Sequence, residues 1–258
     1  MSSTGTILQV IQAKAVPSGT DGYEKHRAAI LERLALKVPS NLVLPSLLIQ
    51  NPPNDVSSIP STCGLLTEHE IGITENYSAV NLAQAIASKH LTAVEVTRSF
   101  AKRAIIAHQL TCCLTQWFMN DALERAKELD QYLEKQGKTI GPLHGVPISI
   151  KEHIPVAGTY SSQGSLASTV YNEVDSHMVK ILREAGAVFY CKTNQPQTIM
   201  HLESTSHYGR TLNPFNLKLS AGGSTGGEAA LLAMKGSIIG VGTDIGVNAA
   251  REHAQRQY

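Results

Sequence analysis

The sequence predicts an α/β fold, a mixed and mostly parallel sheet flanked by helices on both faces. Three observations predict it. Short β-rich runs, "VPISIK" and "AVFYCKT", recur between segments whose apolar residues fall three and four apart. Glycines close the helical segments, at Gly137 and Gly186. Over 258 residues, 42% are apolar, enough to bury a substantial core.

The elements follow in chain order. A short amphipathic helix is expected near 24–36. Residues 38–63, "VPSNLVLPSLLIQNPPNDVSSIPSTC", carry five prolines and no helical period, and read as an extended arm. Together 1–63 form a helix and strap ahead of the main domain, 64–246. "SAVNLAQAIASKH" is helical. Thr92 and Glu95 then stand in capping-box spacing before "AVEVTRSFAKRAIIAHQ". "LTCCLTQWF" is expected as a strand, with Trp117 and Phe118 in the core, and "DALERAKELDQYLEKQG" as a helix. The strand "VPISIK", the helix "DSHMVKILREAG" and the strand "AVFYCKT" follow. "SIIGV" reads as a buried strand and "GTDIG" as the loop at its C-terminal end, a usual place for sites in α/β sheets.

Charge narrows the partners. Lys plus Arg number 22 against 21 for Asp plus Glu, so no basic field invites nucleic acid, and no polybasic run suits an anionic membrane. No 18 apolar residues run together, and the N-terminus lacks a signal-peptide pattern; a cytoplasmic protein without a membrane span is expected. The four cysteines, at 63, 112, 113 and 191, form no CxxC pair and no metal cluster, which suggests a reducing compartment and no metal. Small neutral molecules fit best as partners, and no cofactor is expected.

Three segments concentrate unusual residues. In "GPLHGVPISIKEHIPVAG" Lys151 ends an otherwise uncharged strand. Buried there, its ammonium would lose water, which favours the neutral, proton-accepting amine; the plain alternative is a strand-end lysine reaching solvent. In "SAGGSTGGEAALLA" glycines surround Ser224 and Thr225, while Thr225 and Glu228 stand in capping-box spacing before an apolar run. A tight loop with a capped helix explains it as readily as a site does. The segment lacks the GK[ST] ending of a phosphate loop, and "GVGTDIG" has the wrong spacing for a dinucleotide fingerprint. His144 reads as a loop histidine with a local hydrogen bond, and Cys112 and Cys113 as small buried residues.

In order and spacing, these segments together with "LREAGAVFYCKTNQPQ" and "NPFN" resemble the amidase signature family, most of all its fungal acetamidase-like branch, over about 64–246. The resemblance implies a Ser-Ser-Lys hydrolase of carboxylic amides, with a small-molecule amide as substrate. Lys151 would be the base and Ser224 the bridging serine, which the family holds after a cis peptide, here Gly223–Ser224. Thr225 stands where the family usually has a second serine. The backbone N–H groups of Ile245, Gly246 and Val247 align with the family's oxyanion hole.

The resemblance fails at the nucleophile. The family's attacking serine falls at position 248, which holds Asn248, after Val247 where the family has glycine. Beyond 246 the tail "VNAAREHAQRQY" is polar and without period. The expectation is a truncated chain, lacking the later strands and the substrate-pocket half, as from a shifted frame, a retained intron or a misplaced gene end. Two further readings stand beside it: a pseudo-amidase that only binds, to a second copy or a full-length paralogue, and slow acylation of Ser224 or Thr225 as a substitute.

Overall fold

The computed structural model describes residues 7–12 and 15–244. Its strands are β1 (Leu114–Trp117), β2 (Pro147–Lys151), β3 (Tyr160–Ser161), β4 (Val170–Tyr171), β5 (Val188–Thr193), β6 (Thr205–Ser206), β7 (Gly209–Arg210) and β8 (Ile239–Val241). Four of them form the central sheet in the order β1–β5–β2–β8. β2 runs parallel to both β5 and β8, and β1 is antiparallel to β5, so the sheet is mixed and mostly parallel. Two short antiparallel pairs, β3 with β4 and β6 with β7, lie outside it.

Helices occupy both faces. The long α6 (Ala93–Thr111) opens with the Thr92–Glu95 capping box that the sequence announces. It is buried along most of its length, with Arg103 inside the core. That guanidinium donates to the Met234 carbonyl and the Thr74 hydroxyl, each at 2.8 Å, and meets Glu75 at 2.8 Å. α7 (Met119–Gln136) buries Ala122, Ala126, Leu129 and Leu133, one face of a 3.6-residue helix, and stops at Gly137 with φ 65°. On the other face α8 (His177–Glu184) buries Val179 against Ile148, Ile150 and Phe189. Strand alternation divides β2 between the faces: Ile148 and Ile150 face α8, whereas Ser149 faces α9 (Gly226–Ala233), where it bonds Glu228.

Three expectations need correction. The arm at 38–63 is not continuously extended. It contains a 3₁₀ turn at Ser40–Leu42, α2 (Ser46–Gln50) and α3 (Ile59–Thr62), because Leu42, Leu44, Val56 and Ile59 turn inward onto the main core. "LTCCLTQWF" starts inside α6, and only Leu114–Trp117 is strand; Trp117 and Phe118 are buried as expected. β8 is half-buried rather than buried, since it pairs on one side alone among the described residues. One helix went unread, α4 (Glu68–Glu75), which opens with its own Thr67–Glu70 capping box; α1 (Asp21–Ala35) begins a turn earlier than expected, and α5 (Ala79–Ala87) fell as expected.

Candidate active site

The site is built where β2 ends against the loop before α9. Lys151 is the last residue of β2, and with strands on both sides its side chain is fully buried. The solvent-reaching alternative is thereby excluded. Its Nζ lies 2.6 Å from Ser224 Oγ and 2.9 Å from Thr225 Oγ1, and contacts Thr243 at its hydroxyl (3.1 Å) and its carbonyl (3.2 Å). Thr225 Oγ1 also donates to the Thr243 carbonyl at 2.9 Å, which closes a ring of polar contacts around the amine.

The glycines of the loop have physical reasons. Gly222 takes φ 87°, a conformation L side chains rarely adopt, and the Gly223–Ser224 peptide is cis. A Cβ at Gly227 would collide with the backbone of Asn194, so α9 begins tight against the chain that leaves β5. Ser204 braces the loop from below. Its Oγ accepts from Gly226 N at 3.0 Å and donates to the Gly222 carbonyl at 3.1 Å. Ser224 and Thr225 remain half-buried, so the hydroxyls against the buried amine stay within reach of a ligand.

The Thr225–Glu228 capping box does not form. Thr225 precedes α9, but its hydroxyl is taken by Lys151 and Thr243 and caps nothing. Glu228 turns into the sheet instead and accepts from Ser149 Oγ and from Thr193 Oγ1, the latter at 2.9 Å. Buried partners outcompete the local cap, because an unmet buried carboxylate costs more than a lost cap. Ile245, Gly246, Val247 and Asn248 lie outside the described residues.

A second polar cluster sits beside the site on the α8 face. Lys192 of β5 is fully buried and donates to the Tyr160 carbonyl at 2.8 Å and to Ser161 Oγ at 2.9 Å. Burial pushes its ammonium down to about 8, against the pull of Glu152, which favours the charge. Burial likewise raises the Glu152 carboxyl, opposed by Lys192 and by hydrogen bonds from Ser162. Glu152 accepts from the Ser162 amide and from Gln195 Nε2, and Gln195 Oε1 meets His153 Nδ1 at 2.6 Å. Burial first, then the charges of Lys151 and Lys192, hold the His153 imidazole below its ordinary range.

Reading the sequence brought together Lys151, Gly223, Ser224 and Thr225, and the fold does the same. It did not single out Thr243, Ser204 or the Glu152–Lys192 pair. Thr243 lies within the "GVGTDIG" motif, and its place two residues beyond β8 was the available signal. His144 is buried, and its Nδ1 accepts from Ile140 N at 3.1 Å, a local loop bond. Cys112, Cys113 and Cys191 are buried free thiols. Among the described residues no three His, Cys, Asp or Glu side chains gather as a metal site, and no helix is long and apolar enough to cross a membrane.

The fold thus sets a buried lysine at the end of a central strand against serine and threonine hydroxyls on a glycine loop. The Amidase family model matches residues 95–247, more than half of the chain, and the chain belongs to that family. It is 46% identical over 226 residues to the acetamidase of Emericella nidulans, covering 87% of this chain and 40% of that protein. An amidase of Gibberella moniliformis is 49% identical over 215 residues, 81% of this chain and 41% of the relative. Among solved structures, a fatty acid amide hydrolase superposes with a TM-score of 0.78 at 42% identity, covering 86% of this chain and 39% of that one. The chain thus spans about two fifths of the length of the relatives it matches.

Proposed function

We propose that this chain carries the proton-transfer half of a site for hydrolysing carboxylic amides to acid plus ammonia or amine. The 2.6 Å contact between the buried Lys151 Nζ and Ser224 Oγ supports the reading most strongly. At that separation a proton passes along one hydrogen bond. In the proposed reaction Ser224 takes the proton of an attacking hydroxyl as it gives its own to Lys151. The resulting alkoxide adds to the amide carbonyl. As the C–N bond breaks, the proton returns through Ser224 to the departing nitrogen, and water then repeats the sequence on the acyl ester. Thr225 and Thr243 also bond the amine and hold it against Ser224.

The attacking hydroxyl belongs at position 248, and Asn248 occupies it. An amide side chain has no hydroxyl to ionise, so the 258-residue chain is proposed to form no acyl-enzyme and to release no ammonia from acetamide or benzamide. Ammonia release measured on the purified chain tests this. Release that disappears in Lys151→Met would place an attacking group elsewhere and overturn the assignment of position 248. A second reading, that the chain acts by binding a paralogue or a copy of itself, draws on the half-buried β8, which has one free edge among the described residues. Sedimentation of the chain alone and mixed with a longer family member tests it; a monomer that ignores the longer protein would contradict it.

A further inference from the structure

At the opposite edge of the sheet from β8, α1 leaves a cavity of about 170 Å³ against β1, with β5 standing between it and β2. Its wall carries His26 and Arg33 from α1 and Lys37 just beyond that helix, and no Asp or Glu lines it. None of these three side chains has an ion-pair partner among the described residues. Its interior is aromatic. Trp117 and Tyr208 are 2% and 6% exposed, and Tyr160 stands at the mouth with the Arg33 guanidinium 5.3 Å from its ring centre.

Of the buried polar side chains in this lining, one makes no hydrogen bond among the described residues. The Trp117 indole N–H donates to the Ala101 carbonyl at 2.8 Å, but the Tyr208 hydroxyl has no hydrogen-bond partner among the described residues. Burial holds that phenol protonated, so it can donate a hydrogen bond to a ligand in the cavity. Aromatic walls, a spare hydroxyl donor and uncompensated cations at the rim call for a flat apolar body with one anionic end. The size agrees: a cavity of about 150 Å³ takes one benzene ring. A guanidinium favours a planar carboxylate, which it meets with two parallel N–H bonds.

We infer that this cavity is a binding site for a small aromatic carboxylate of the size of benzoate, separate from the Lys151 site. Such an acid is also what cleavage of an aryl amide would release, but the inference stands without that reaction. Its supports are the lining residues, the volume and the spare donor.

Trp117 is the single tryptophan of the chain and lines the cavity, so its fluorescence reports occupancy directly. The experiment titrates the 258-residue protein with benzoate and, as the neutral analogue, benzyl alcohol. The expected result is a saturable change with benzoate, about tenfold weaker binding of benzyl alcohol, and weakening of benzoate binding by salt. Arg33→Gln, an exposed change on α1, is expected to lower benzoate affinity about tenfold and Lys37→Gln to lower it less, because only Arg33 offers the paired donors. Lys151→Met should leave the titration unchanged. Equal binding of benzoate and benzyl alcohol, no saturation, or indifference to Arg33→Gln would overturn the inference. Loss of the response in Lys151→Met would move the ligand to the other site.

Discussion

Lys151 and Lys192 sit one residue apart in register on neighbouring strands, both fully buried, yet they are placed for different work. Lys151 faces α9, and its amine touches Ser224 and Thr225 on a loop that keeps their hydroxyls half open. Lys192 faces the other way, onto β3 and the residue before it, meeting Thr159, Ser161 and the Tyr160 carbonyl, with the Glu152 carboxylate close enough to shift it. Burial alone therefore does not distinguish the proposed base from a structural lysine. What separates the two is whether a hydroxyl that a substrate can reach lies within one hydrogen bond of the amine.

The comparison breaks most sharply at Lys192. Lys192→Ala leaves Glu152 buried beside no cation, and is expected to cost about 3 kcal/mol or more in urea unfolding. Adding Glu152→Gln should recover much of that loss; no recovery would show that Lys192 acts through packing alone.

A third buried base sharpens the same point through pH. His108 has no charged partner to hold its proton, and its Nδ1 accepts from Leu114 N at 3.0 Å. Burial lowers it from 6.5 to about 4. The unfolded chain binds that proton first as pH falls, so His108 contributes in full above pH 6.5 and its contribution disappears as pH falls to about 4. The loss comes to about 3 kcal/mol. His207, also lowered to about 4 by burial, adds in the same direction. Melting followed from pH 7 to pH 4 should therefore fall more steeply for the parent chain than for His108→Gln.

Around Lys151 the expected stability effects are smaller, because the site is hydroxyl-rich and half open. Thr225→Val removes the bonds to Lys151 and to the Thr243 carbonyl and is expected to cost about 1–2 kcal/mol. Ser224→Ala should cost about 1 kcal/mol or less. A larger loss from Ser224→Ala than from Lys192→Ala would reverse the assignment of which lysine is structural.

Much of this was legible in the sequence, for identifiable reasons. β2, β5 and α7 carry strong periods and clear stops, and Lys151, Ser224 and Thr225 lie inside motifs whose glycines mark close approach. The arm at 38–63 was misread because its prolines hide single helical turns fixed by distant core contacts rather than by local period. The capping-box spacing of Thr225 and Glu228 misled for a related reason: tertiary partners took both side chains, and nothing local announces Ser149, Thr193 or Thr243 as competitors. The Glu152–Lys192 pair was invisible, since 40 residues separate two positions that only strand register brings together.

The most direct test of the central claim is fluorophosphonate labelling with peptide mapping, on the parent chain and on a chain carrying Val247→Gly and Asn248→Ser. The account predicts no label on Ser224 or Thr225 in the parent, and a label at position 248 of the substituted chain that Lys151→Met removes. A label on Ser224 or Thr225 in the parent would contradict it, making the half-open loop itself the attacking group.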